Sequence, residues 1–192
     1  MNTKQTLLSL IAILGLSLTS ISFADMNLDK KYSNVSFVSV KKGTVAEGHR
    51  IRKLSGSLTD KGILKITLDL NSVDTKIEIR DQRAKEFLFE TEKFAEATLT
   101  ANIEEIKDGI SNISTEAELS LHGISQKIKV DVTVLKSGDQ LLATSTMPII
   151  INAADFKLEG GIKKLQELAK LPSVATSVPV SFVLMFNKKL KP

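Results

Sequence analysis

Imidazole, carboxylate and hydroxyl groups are the reactive chemistry this sequence offers, and imidazole is scarce. His49 and His122 are its two histidines, and cysteine is absent. Thiol nucleophiles, thiolate zinc sites, disulfides and a cysteine-linked lipid anchor are excluded, and so is a histidine-rich metal centre. No cofactor is expected. The sequence has no HExxH, GxSxG or phosphate-cradling glycine loop. Asp74, Asp81, Glu86 and Glu90 fall close enough to offer the paired carboxylates of acid–base catalysis. The simpler expectation for them is a solvated helix face, or ion pairs with Arg80 and Arg83. His122 ends an apolar run just before Gly123, the place of a turn residue bonded to backbone, with a ligand contact as the alternative. His49 lies in a Gly-flanked segment and is expected to be exposed. Phe87, Phe89 and Phe94 cluster, and they can plug the end of a fold, touch an apolar ligand, or do both. Basic residues number 26 and acidic ones 22, giving +4 with no basic block, so nucleic acid is not an expected partner.

The elements that must position these residues are mostly strands. Leu64, Ile66, Leu68 and Leu70 alternate with Lys65, Thr67 and Asp69. Ile113, Thr115, Ala117, Leu119 and Leu121 alternate with polar residues, as do Ile128, Val130, Val132 and Val134. Val35 and Phe37 share a face, and Val178, Val180, Phe182, Leu184 and Phe186 share another. Period two sustained over this many segments predicts antiparallel strands with one dry and one wet face. Eight are predicted, over residues 32–40, 50–58, 63–70, 97–106, 110–121, 127–135, 140–150 and 178–186. Asp60-Lys61-Gly62, Lys107-Asp108-Gly109 and Ser137-Gly138-Asp139 are turn signals between consecutive runs, which makes most neighbours a meander. Such strands can close into a barrel or split into a sandwich; closure removes exposed edges and favours the barrel.

Two stretches break the period. Residues 77–89 read as a short helix in which Ile79, Ala84, Phe87 and Leu88 share a face. Residues 160–171 place Ile162, Leu165, Leu168 and Ala169 at helical spacing, and Pro172 ends the run. Both lie between strands, where they can cap a barrel. Ahead of the strands, Lys4 precedes an apolar run over residues 7–18, and Ser22-Phe23-Ala24 places small residues at a cleavage site before Asp25. This is the form of a secretory signal peptide over residues 1–24. Residues 25–192 are then a single exported domain, periplasmic or secreted, with no integral membrane segment after cleavage.

Leu70-Asn71-Ser72-Val73-Asp74-Thr75, followed by Arg80-Asp81-Gln82-Arg83, Phe87-Leu88-Phe89, Lys93-Phe94 and Leu119-Ser120-Leu121-His122-Gly123-Ile124, resembles the YceI-like family. Leu28-Asp29 with Ser33, Val35 and Phe37 is similar to the family's opening strand, and Asp155-Phe156 to its late Asp-Phe step. The chain departs from the family pattern at Asn27, near the usual Trp, and at Ala95, where Pro is common. It departs again across residues 38–51 and in the length of the 160–171 helix. The resemblance implies an all-β, eight-stranded antiparallel lipocalin-like β-barrel with two short helices inserted between strands. It also implies an exported polyisoprenoid-binding protein.

The expected function is therefore non-enzymatic: holding a long-chain isoprenoid or fatty amphiphile inside the barrel, for carriage, storage or sequestration. The candidate mouth and lid residues are Arg80, Asp81, Arg83, Phe87, Phe89, Phe94 and His122, with Phe37 and Ile66 in the interior. Arg80, Arg83 or His122 would meet a polar head. A homodimer is compatible with the sequence. Two other readings stay open: an enzyme acting on such a lipid through Asp74, Asp81 or His122, and an envelope partner-binding protein with a packed core. Alternation alone does not distinguish a pocket from a filled interior.

Overall fold

The computed structural model describes residues 25–104 and 106–189. The expected leader, residues 1–24, lies outside the described residues. The strands are β1 (Met26–Leu28), β2 (Asn34–Lys41), β3 (Val45–Ile51), β4 (Leu54–Leu58), β5 (Ile63–Asp69) and β6 (Val73–Asp74), then β7 (Glu96–Asn102), β8 (Gly109–Leu121), β9 (Ile124–Ser137), β10 (Gln140–Ser145), β11 (Ile149–Asn152) and β12 (Ser177–Lys188). All pairings are antiparallel, and they run β1-β4-β5-β7-β8-β9-β10-β12, with β12 returning to β1. Met26 pairs with Leu58 on one side and Lys188 on the other, so a three-residue strand is the seam that closes the ring. β2, β3, β6 and β11 prolong these staves past their bends. The result is an eight-staved up-and-down barrel, the closure that the removal of exposed edges favoured.

The bends account for the difference between eight predicted runs and twelve paired segments. A closing barrel forces its strands to coil, and local breaks absorb the strain. Here they fall at the polar stretch between β1 and β2, at Arg52-Lys53, and at Thr146–Pro148, where proline has no N–H to give.

One end is filled by side chains. Met26, Leu28, Leu54, Leu58, Ile106, Leu141, Leu184 and Phe186 pack there into one buried cluster. The other end is covered by two helices. α1 (Glu78–Arg83) continues into a single π turn over Ala84–Leu88, where the Phe89 N–H donates to the Ala84 carbonyl at 2.9 Å. α2 (Glu159–Leu168) ends before Lys170, whose φ is +52°. The predicted apolar face holds for Ala84 and Leu88, which turn toward the barrel interior, but not for Phe87, which packs outside it, nor for Ile79, which is 51% exposed.

The helices meet at Gly161. A Cβ there would lie 2.4 Å from the Phe87 carbonyl oxygen and 2.8 Å from Leu88 Cα, whereas one on Gly160 would meet nothing within 4 Å. Alanine in place of glycine gains up to about 1 kcal/mol in a helix. Gly160→Ala is therefore expected to be neutral or stabilising in urea unfolding. Gly161→Ala is expected to lose about 1–3 kcal/mol, as overpacking against backbone does. Equal stabilities for the two variants would contradict the close contact.

Candidate functional site: an apolar barrel cavity with a polar neck

A cavity of about 380 Å³ runs through the barrel from Phe186 and Leu141 to the underside of the helices. That size lies within the range of small-molecule sites. Its walls are the inward faces of the staves: Ile66 and Leu68, Leu99 and Ala101, Ala117 and Leu119, Val130 and Val132, Val180 and Phe182. Ala84, Leu88, Ile162 and Leu165 roof it. The interior is a pocket, not a filled core.

Polarity is concentrated at one end. Along β2 the inward side chains run Val35, Phe37, Ser39, Lys41, and along β3 they run Ile51, His49, Glu47. Phe37 is opposite His49 in register and Ser39 is opposite Glu47. The same period of two therefore carries the wall from apolar to charged as it nears the β2–β3 hairpin. Glu47 accepts hydrogen bonds from both Lys41 Nζ and Arg80 Nη1, which ties α1 to the hairpin. Ser39 Oγ and His49 Nε2 are 2.7 Å apart, and the Phe37 and His49 rings lie 5.2 Å apart between centroids. After α2 the chain returns along β2. Lys42 N–H donates to Ser173 O at 3.1 Å and Ala175 N–H donates to Val40 O at 2.9 Å, so this segment closes the neck from the other side.

His49, expected to be exposed, is 7% exposed and lines the cavity. The reason is that β3 begins at Val45, five residues before the predicted strand. Its inward residues there are Glu47 and His49, so no apolar alternation marks it. Burial, and then the charge of Arg80, lower the pKa of His49 below the usual histidine value, which favours the neutral ring.

Among the other candidates, Arg80, Arg83, Phe89, Phe37 and Ile66 line the cavity. Arg83 Nη1 reaches the Leu168 carbonyl at 3.5 Å, across to the end of α2. Asp81, Phe87, Phe94 and His122 lie outside the lining. Asp81 accepts from the Thr75 N–H at 2.7 Å and from its hydroxyl at 2.6 Å, fixing the loop into α1. Phe87 packs outside with Lys164 Nζ 5.8 Å from its ring centroid. His122 takes φ +52°, its Nδ1 lies 3.1 Å from Phe156 O, and its ring meets Phe94 at 4.5 Å. That is the backbone-bonded turn the Gly123 neighbour suggested. Asp74 is 3% exposed and paired with Arg50 at 2.8 Å and Arg52 at 2.9 Å. It does not pair with Arg80 or Arg83, because the charged partner of Arg80 is Glu47. The Arg50 hydrogen bond, then the Lys76 N–H, hold the Asp74 carboxyl at about 2, a poor proton acceptor.

Residues 26–186 match the profile of the YceI-like domain. The chain belongs to the YceI-like family. Its barrel superimposes with TM-score 0.84 on a polyisoprenoid binding domain from Saccharophagus degradans implicated in plant cell wall breakdown. The two share 35% identity over 87% of this chain and 100% of that one. Burkholderia cenocepacia BcnA matches at TM-score 0.68 and 21% identity, over 82% of this chain and 98% of its own. The YCEI protein of Campylobacter jejuni matches at 0.54 and 17%, over 98% and 100%. Those last two similarities speak to the fold alone. No curated protein matches the sequence.

In this YceI-like barrel the Glu47 bridge gives the neck a pH dependence. The Lys41 hydrogen bond, then that of Arg80, lower the Glu47 carboxyl from 4.5 to about 2. A depressed carboxyl stabilises the fold fully above its unfolded value, here near pH 4.5, and that contribution fades as pH falls toward 2. Glu47→Gln is expected to lower the melting temperature at pH 7 slightly, by the equivalent of about 0.5–1 kcal/mol for so exposed a pair. Its melting curve should also fall less steeply than the parent's between pH 4.5 and 2. Parallel curves would show that the bridge does not act in the folded chain.

Proposed function

We propose that this protein is an exported binding protein that holds a long-chain isoprenoid or comparable amphiphile in its barrel, tail inward and polar head at the neck. The observation that carries this reading is the continuous apolar cavity. Each buried methylene contributes about 0.8 kcal/mol, so ten offer about 8 kcal/mol before ordering costs. That is on the order of micromolar affinity without any catalytic group. The printed description of the 35%-identical S. degradans domain, polyisoprenoid binding, supports the same class of ligand.

The enzyme reading relied on Asp74, Asp81 and His122. Each is engaged in a structural contact and none lines the cavity, which favours holding over turnover. The partner-binding reading needed a packed core, and the cavity speaks against it. Export rests on the leader-like residues 1–24. Among the described residues no helix is long and apolar enough to cross a membrane.

The test is native mass spectrometry, with organic extraction, of protein purified from its envelope fraction. The expected result is a stoichiometric lipid mass lost on extraction and restored by a prenyl or acyl probe. Protein that arrives empty and takes up neither probe overturns the reading.

A further inference from the structure

Most of the polar side chains in the cavity wall have a partner within the protein. Lys41 and Arg80 share Glu47, and Ser39 is bonded to His49. Among the described residues of the wall, the buried polar atom left without a partner is the second ring nitrogen of His49. Nδ1 is buried without a hydrogen-bond partner in a residue 7% exposed. Two other buried side-chain atoms lack partners among the described residues, Ser111 Oγ and His122 Nε2, and neither residue lines the cavity. An orphaned buried polar atom is costly, and such exceptions call for a partner. This one sits where the apolar wall turns polar, beside the neck.

The charges facing His49 come from three elements: Arg80 and Asp81 on α1, Glu47 on β3, and Lys41 on β2. Two are positive and two negative. Lys41 and Arg80 already share the Glu47 carboxylate, so their charge is partly balanced and an anionic head gains less at this point. An uncharged oxygen does not depend on that charge. We propose that His49 Nδ1 anchors the uncharged oxygen head, an alcohol or carbonyl, of the apolar ligand. The inference rests on the lipid-holding function proposed above. The two kinds of oxygen correspond to the two tautomers. If Ser39 donates to Nε2, then Nδ1–H donates to a carbonyl or hydroxyl oxygen; if Ser39 accepts, Nδ1 accepts from a hydroxyl.

The experiment uses the mature chain with farnesol, the hydrocarbon farnesene and farnesyl phosphate as probes, in the parent and in His49→Phe. Comparing ratios cancels the different water solubilities of the probes. The farnesol-to-farnesene affinity ratio should fall about fivefold to tenfold in the variant, the effect of one net hydrogen bond. The farnesyl phosphate-to-farnesene ratio should change by less. In the parent, with two histidines to assign, farnesol and not farnesene should shift the ring ¹⁵N signals of His49, a measurement independent of whether the variant folds. An unchanged ratio, or a His49 ring indifferent to farnesol, overturns the anchor while lipid holding stands. Failure of the parent to bind either farnesol or farnesene overturns the proposed function and this inference together.

Discussion

Phenylalanine at both Ala101 and Ala117 is expected to abolish lipid uptake while leaving the barrel folded. The two alanines are paired in register on β7 and β8, are 7% and 2% exposed, and both face the cavity. With Val130 they form a band of buried wall between the filled end and the helices. Rings added there project into the lumen. A tail stopped at that level loses its deepest contacts, and excluding about five methylenes costs about 4 kcal/mol, close to a thousandfold in affinity. In a filled core the same double change would be a serious overpacking error, at about 1–3 kcal/mol each. In a hollow barrel the rings have space to enter, so stability should change far less than binding. The check is the pair of measurements: probe affinity and urea midpoint on one sample. A variant that unfolds readily yet binds normally would mean that these positions do not bound the ligand's path.

The barrel was legible because most of its staves carry apolar residues inward at nearly every second position. Leu64, Ile66 and Leu68 on β5, or Ile128, Val130, Val132 and Val134 on β9, leave no choice of face. Closure was argued from edges and is seen at Met26, but β1 was not among the eight runs read from alternation, since three residues carry no measurable period. β3 was missed over its first five residues for the opposite reason. Its inward residues at the neck are Glu47 and His49, and a hydrophobic pattern cannot register a strand whose buried face is polar. Counting back by twos from Ile51 would have found both, because geometry and not polarity sets the face. The helix motifs located the lid, yet periodicity could not say which of Arg80, Asp81 and Arg83 turns toward the lumen. Arg80 and Arg83 line it, while Asp81 turns back onto Thr75. The LHG step is likewise conspicuous in sequence and structural in place. His122 bonds the Phe156 carbonyl from a left-handed turn that joins β8 to β9.

That turn points to the substitution with the largest expected effect on stability, Phe156→Ala. Phe156 is 1% exposed in the 3₁₀ turn Ala153–Phe156, packed with Leu119, Ala153, Leu158 and Ile162 at the foot of α2. It does not line the cavity, so its ring is surrounded by protein on every side. Phe186 is also buried, at 2%, but faces the lumen. Truncating a buried phenylalanine costs about 3–5 kcal/mol, with the larger values where the surroundings cannot relax into the space. Phe156→Ala should fall at the upper end, lowering the melting temperature by about 10 °C or more for a chain of this size. Phe186→Ala should fall at the lower end, because a void already adjoins its ring. The His122 hydrogen bond reaches the backbone carbonyl of residue 156 and survives the change, so the difference isolates ring packing. Loss of the ring also frees the root of α2, and a bound prenyl probe should dissociate faster from Phe156→Ala than from the parent. Equal melting temperatures for the two truncations would show that the cavity gives Phe186 no relief, and hence that the barrel is tighter at its closed end than this structure has it.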